Sequence, residues 1–142
     1  MTNTGNLEDF KVNLKLKLAA LWASVMFCYI YGDYFAFYVP GQLEGFIKGE
    51  TLLDSPLKLF AASLLMAVPA LMIFLSVALK PKTNRYLNII FGVLYTAIMV
   101  LIALTSMAPW WAFSVFLALI ESVLTSFIVW YAWRWPKLES KT

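Results

Sequence analysis

Residues 110–133 read WWAFSVFLALIESVLTSFIVWYAW, a run of apolar and small residues that contains a single charged side chain, Glu121. A helix needs ~20 such residues to cross a ~30 Å hydrocarbon layer, and this run is long enough. Its residues do not alternate between apolar and polar, which argues against a strand of a membrane β-barrel. The stretch therefore predicts a membrane-spanning helix with one carboxyl group near its middle.

Three similar runs precede it, and together they predict an all-α membrane protein, a four-transmembrane-helix bundle with spans at 18–38, 57–79, 86–104 and 110–133. The chain of 142 residues is 62% hydrophobic and 13% charged. Typical soluble domains have about 45–50% apolar and about 25% charged residues. So little charge cannot cover the surface of a soluble protein of this size, and we expect a single membrane domain over 1–142.

Helix-start and helix-stop residues separate the predicted spans. Ser55 followed by Pro56 is typical of an N-cap and a first helical residue, so the second span is predicted to begin there. Pro81 is interpreted as the end of that span, Asn84 as the cap of the third, and Pro109 as the start of the fourth.

Two short segments outside the spans are predicted to lie on the membrane surface. Residues 7–17 place apolar side chains at helical spacing, which predicts an N-terminal amphipathic interfacial helix with Asn6 as its N-cap. In the first loop, Leu43, Phe46 and Ile47 follow the i, i+3, i+4 pattern, which predicts one short helical turn.

The basic residues are distributed unequally between the two predicted sides of the membrane. Lys48 and Lys58 are the two basic residues on one side, and nine lie on the other: Lys11, Lys15, Lys17, Lys80, Lys82, Arg85, Arg134, Lys137 and Lys141. Because cytoplasmic segments carry an excess of Lys and Arg, we expect both termini in the cytoplasm. The expected location is the inner (plasma) membrane of a bacterium.

The composition argues against several kinds of chemistry. The chain has no His and one Cys, Cys28. Imidazole zinc sites, His-ligated haem, Ser-His-Asp triads and CxxC redox pairs are therefore excluded within it. We predict no catalytic residues, no metal, no cofactor and no nucleic-acid partner.

Glu121 is the first candidate for a ligand or proton site. Depth counting places Tyr95 and Thr96 of the third span near its level, and Ser114 and Thr125 share its face of the fourth span. All eleven Lys and Arg residues lie in tails or loops. Glu121 is therefore protonated, ionised in a water-filled cavity, paired with a cationic ligand, or paired with a group of a second subunit in a homo-oligomer. A protonated Glu121 that only locks the bundle through Tyr95 or Thr96 is the structural alternative.

Asp33 is the second candidate, in the outer part of the first span. Tyr29 and Phe37 flank it at i−4 and i+4. A carboxylate between aromatic faces suits an organic cation, whereas the alternative is an interfacial aromatic belt.

Four segments of the chain resemble a bacterial family of short four-helix integral membrane proteins of unknown function. The segments are LEDFKVNLKLKLAALWASVMFCYIYGDYF (7–35), PALMIFLS (69–76), PKTNRYLNIIFG (81–92) and IESVLTSFIVWYAWRWP (120–136). The resemblance implies the four-span topology and no mechanism. In size and topology the chain is also loosely similar to DoxX-like membrane proteins. Small multidrug exporters have a membrane glutamate too, but theirs belongs to the first helix.

The leading functional hypothesis is a non-enzymatic inner-membrane protein with a polar midplane pocket for a lipid-like or small amphipathic ligand, surrounded by membrane lipid. The alternatives are a proton-coupled transporter of small cationic compounds acting as a dimer, and an accessory subunit of a membrane complex. A small hydrophobic or cationic ligand is thus the expected partner.

The charge distribution makes the topology testable. We expect reporter fusions after Lys82 and after Gly49 to report opposite sides of the membrane, with Lys82 cytoplasmic. Paired alkaline phosphatase and green fluorescent protein fusions measure this, and a periplasmic signal at Lys82 would contradict the orientation.

Overall fold

The computed structural model describes residues 10–136, and that part of the chain is helical without strands. The helices are α1 (Leu14–Ala36), α2 (Gln42–Lys48), α3 (Pro56–Ala78), α4 (Pro81–Thr105) and α5 (Ala112–Trp133), with a 3-10 turn (Pro109–Trp111) before α5. The four long helices are long and apolar enough to cross a membrane, when α5 is taken together with its 3-10 turn. The predicted four-helix class is confirmed.

Local sequence explains two of the helix starts. The Ser55 hydroxyl accepts a hydrogen bond from the Lys58 backbone N–H at 3.3 Å, with Pro56 as the first helical residue, as predicted. At α1, the Asn13 side-chain oxygen accepts from the Lys15 backbone N–H at 2.9 Å. Asn13 is therefore the N-cap of α1.

The structure differs from the predicted amphipathic helix over 7–17. Residues 10–13 are not helical, and residues 14–17 form the first turn of α1; residues 6–9 lie outside the described part of the chain. The cap at Asn13 explains the later start, since its backbone is extended and its side chain satisfies the first turn.

The turn between α3 and α4 also differs from its prediction. Pro81 does not end the second span but is the first residue of α4, where the missing N–H of proline costs no hydrogen bond. Asn84 lies fully buried in the first turn of α4 and does not cap it. The third span therefore begins before the predicted 86–104.

The short helix α2 confirms the helical turn predicted around Leu43, Phe46 and Ile47. Gly41 and Gly49 bracket it with φ of 81° and 74°. These are left-handed conformations that glycine adopts without a steric penalty, so the two glycines set the ends of α2.

Charge divides the bundle into two ends. The basic end joins the start of α1, the α3–α4 turn and the end of α5, and its cations are Lys11, Lys15, Lys17, Lys80, Lys82, Arg85 and Arg134. The acidic end carries Glu44, Glu50 and Asp54. Its two lysines are neutralised locally, because Lys48 pairs with Glu44 and Lys58 with Asp54, each at 2.7 Å.

The helices pack in the order α3, α1, α5, α4, and the contact between α3 and α4 is much smaller than the others. α4 and α5 approach most closely at Gly92. A Cβ atom added there would lie 2.7 Å from Val129 Cγ2 and 3.4 Å from the Thr125 carbonyl oxygen. In the small-residue row Asn88, Gly92, Thr96, whose spacing predicts close packing, Gly92 and Thr96 face α5, whereas Asn88 bonds to α1.

A closed polar network joins α1, α3 and α4 in the half of the bundle nearer the basic end. Trp22 Nε1 donates to Asn88 Oδ1 at 2.8 Å, and Asn88 Nδ2 donates to Asn84 Oδ1 at 2.6 Å. Asn84 Nδ2 in turn donates to the Ser76 carbonyl. These four residues are fully buried. Within this network, each of these side chains thus has a partner that a bilayer cannot supply.

The close approach at Gly92 predicts a large effect from one methyl group. Relative to Gly32→Ala, Gly92→Ala should lower the free energy of unfolding by about 1–3 kcal/mol, because overpacking displaces the stiff Val129 side chain. Gly32 is a matched control, since its added Cβ would lie 3.7 Å from Leu117 Cδ1, an ordinary contact, and both changes gain the same helix propensity. Unfolding in detergent measures the difference. Val129→Ala should rescue Gly92→Ala, and equal stability of the two alanine variants would contradict the clash.

The polar network predicts coupling between Trp22 and Asn88. Trp22→Phe and Asn88→Ala should each lower the free energy of unfolding by about 1–3 kcal/mol, because each leaves a buried hydrogen-bond partner unpaired. The double variant should cost less than the sum by about 0.6–1.7 kcal/mol, the range seen for hydrogen bonds between membrane helices. Ser24→Ala is the control, since that exposed hydroxyl bonds locally to the Ala20 carbonyl at 3.0 Å. Strictly additive effects would show that the network is not a unit.

Candidate functional site

A cavity of about 150 Å³ lies between α1, α4 and α5 and extends from the acidic end towards the middle of the bundle. We call it the acidic cavity, because it contains both carboxyl groups of the spanning helices. Four residues singled out from the sequence line it: Tyr29, Asp33, Ser114 and Glu121. The structure thus joins two candidate sites that the sequence treats as separate.

Glu121 forms the inner part of the acidic cavity. It is 3% exposed, and its position nine residues into α5 places it roughly 14 Å along the helix axis from Ala112. Its backbone carbonyl accepts a bond from the Thr125 hydroxyl at 2.8 Å. Among residues 10–136, no side chain donates a hydrogen bond to its carboxyl group. The carboxyl group is therefore turned to the cavity without a protein donor.

Asp33 forms the outer part. It is an exposed residue three positions before the end of α1 at Ala36, roughly 5 Å along the axis. No Lys or Arg lines the acidic cavity, and the ion pairs of the described chain lie outside it, in and next to the loop that holds α2. Two acidic residues thus line one cavity at two depths along the helix axes, and no Lys or Arg of residues 10–136 neutralises them there.

Tyr29 adds a third polar group in need of a partner. The residue is 8% exposed, and its hydroxyl is buried without a hydrogen-bond partner in the described part of the chain. Its ring lies 6.3 Å from that of Tyr95, which holds it in the core. A buried hydroxyl without a partner costs about 1–3 kcal/mol.

The residues predicted around Glu121 divide into two groups. Ser114 lies in the acidic cavity with it, whereas Tyr95 and Thr96 do not contact its carboxyl group through hydrogen bonds. The Tyr95 hydroxyl donates to the Leu65 carbonyl, which Pro69 leaves without its helical partner. Thr96 and Thr125 bond to each other through their hydroxyls at 2.7 Å. Tyr95, Thr96 and Thr125 therefore fasten helices together.

The aromatic walls of the acidic cavity come from the start of the fourth span, which the sequence analysis did not connect with Asp33 or Glu121. Trp111 and Phe113 line it and stack with ring centroids 5.9 Å apart, whereas Phe37 lies outside and packs on Phe46 at 5.5 Å. Ser114 and Glu121 share one face of α5, and this spacing is the signal that could have placed the neighbouring Phe113 and Trp111 beside the site.

The acidic cavity has the composition of a cation-binding site. Its volume corresponds to roughly five water molecules at ~30 Å³ each. Carboxylate oxygens, a hydroxyl and aromatic faces all attract positive charge. No group of three His, Cys, Asp or Glu side chains that could hold a metal ion exists within residues 10–136.

Comparison with known proteins connects the chain to one family. Searches among curated proteins and among solved structures find no match to either. A family's sequence profile matches residues 6–142, and with them all four spanning helices. The predicted resemblance to a family of unknown function is thereby confirmed: the chain belongs to the family described as "Family of unknown function (DUF6326)".

Proposed function

We propose that this multi-pass membrane protein binds a small amphipathic ligand with a positively charged group in the acidic cavity. The observation that carries the proposal is that Asp33 and Glu121 line the same cavity. No Lys or Arg of residues 10–136 lines that cavity or pairs with either acid. The polar and the apolar parts of such a ligand each have a counterpart in the cavity.

Charge is the first support. Placing a carboxyl group in the membrane interior costs roughly 2.5–3.5 kcal/mol on insertion scales. A chain that needed only packing would place an apolar residue at position 121, next to the buried Ala118. A bound cation between the two carboxyl groups would regain their electrostatic attraction in a site of low dielectric constant.

Shape is the second support. Trp111 and Phe113 give the outer part of the acidic cavity an aromatic wall, and Met99 and Leu117 line it further in. An ammonium group can lie between Asp33 and Glu121 while its hydrocarbon part contacts these side chains.

We further propose that the basic end faces the cytoplasm and that the membrane is the inner membrane of a bacterium. The seven basic residues at one end of the described chain support this orientation. The acidic cavity would then open towards the periplasm, where a cation from outside reaches Asp33 first.

Binding of benzylammonium to the protein in lipid nanodiscs tests the proposal. Calorimetry should detect the cation and not the neutral isostere benzyl alcohol. Glu121→Gln and Asp33→Asn should each weaken binding about tenfold or more, ~1.4 kcal/mol, because each removes one charge and keeps the side-chain shape.

Glu50→Gln is the matched control. It removes one negative charge at the acidic end but outside the acidic cavity, so binding should change less than about twofold. Equal binding of benzyl alcohol, or unchanged binding in both cavity variants, would contradict the proposed ligand class.

Proton-coupled transport of small cations by a dimer is the second candidate, and one feature favours it. Protons and a cation would compete for the same two carboxyl groups, as coupled exchange requires. In proteoliposomes with an imposed pH gradient, Glu121→Gln should then fold normally and abolish benzylammonium uptake. Binding without gradient-driven uptake in the unmodified protein would leave the binding function and exclude transport of this cation.

A further inference from the structure

A second polar pocket, of about 550 Å³, lies at the basic end, between the start of α1 and the end of α5. We call it the basic pocket; its walls include Lys11, Lys17, Tyr131, Arg134 and Trp135. It lies at the opposite end of the bundle from the acidic cavity and shares no residue with it. What the basic pocket binds is therefore independent of the function proposed for the acidic cavity.

The cations of the basic pocket differ in what already engages them. Lys15 Nζ donates to the carbonyls of Val77 at 3.1 Å and Leu79 at 2.6 Å, so its charge serves the C-terminal end of α3. Lys17 Nζ lies 5.7 Å from the centre of the Tyr131 ring, and the Arg134 guanidinium 5.0 Å from that of Trp130. Aromatic rings hold these two side chains in place, and no carboxylate of residues 10–136 pairs with them.

The described acids lie elsewhere. The five carboxylates of residues 10–136 are in the acidic cavity or at the acidic end: Asp33, Glu44, Glu50, Asp54 and Glu121. Lys17 and Arg134 thus form no ion pair within the described chain. A pocket with several cations and no anion from residues 10–136 favours a negatively charged ligand.

We propose that the basic pocket binds the phosphate headgroup of an anionic phospholipid of the surrounding membrane. Its position at the end of spanning helices puts it at headgroup depth, where Trp and Tyr side chains such as Trp135 and Tyr131 concentrate. Basic pockets between spanning helices suit phosphate headgroups by charge and by hydrogen bonding.

The walls favour a lipid over a free phosphate ion. Beside the cations, Val12, Leu14 and Trp135 give the basic pocket an apolar surface that a free ion cannot use. A volume of about 550 Å³ exceeds what one phosphate group fills and leaves space for the glycerol part of a headgroup. The acyl chains would continue along the apolar side of the helices.

Native mass spectrometry of the delipidated protein tests this, with dioleoylphosphatidylglycerol as the anionic probe and dioleoylphosphatidylcholine as the zwitterionic one. The unmodified protein should bind phosphatidylglycerol more tightly. The double variant Lys17→Gln/Arg134→Gln should lose about fivefold in affinity for each cation removed. The charge-preserving Lys17→Arg/Arg134→Lys should stay within about twofold, which separates lost charge from lost folding.

The matched control is Lys80→Gln/Lys82→Gln, which removes the same charge from the same end at exposed positions outside the basic pocket. It should retain the preference for phosphatidylglycerol. An equal loss in this control would overturn the proposal in favour of diffuse attraction. Equal affinity for the two lipids, or displacement of phosphatidylglycerol by equimolar inorganic phosphate, would overturn it as well.

Discussion

Asn88 is the side chain on which three of the four spanning helices depend. It accepts from Trp22 of α1, donates to Asn84 of its own helix and, through Asn84, reaches the Ser76 carbonyl of α3. In lipid, no water can substitute for a missing partner, so this arrangement fixes the rotation and height of each helix together. Hydrophobic contact cannot do this, because lipid tails contact leucine as well as another helix does.

The acidic cavity differs from this network in the hydrogen bonding of its polar groups. The side chains of Trp22, Asn84 and Asn88 are paired in their network, whereas the Tyr29 hydroxyl beside Glu121 has no hydrogen-bond partner within the described chain. Both regions are surrounded by the same apolar helices, so the difference lies in the residues and not in the environment.

The features that the sequence predicted correctly depend on a few neighbouring residues or on position along a helix axis. The Ser55 cap, the glycine-bracketed α2 and the close packing at Gly92 each depend on a few neighbouring residues. The start of α1 was misplaced because Asn6 and Asn13 are equally good caps by type. Pro81 was misassigned because one proline can follow a helix and begin the next. Counting residues along each span predicted how deep Asp33 and Glu121 lie in the membrane. It did not predict towards which neighbouring helix each side chain points. The sequence therefore could not show that they share a cavity.

The contact of Lys15 with the last carbonyls of α3 has a consequence for how the protein is made. The C-terminal end of α3 finds its cation in α1, which leaves the ribosome first. Once Leu79 has been synthesised, both partners of this contact exist, and α1 and α3 can join before any part of α4 has emerged. This contact between the first two spans therefore requires no residue of α4 or α5.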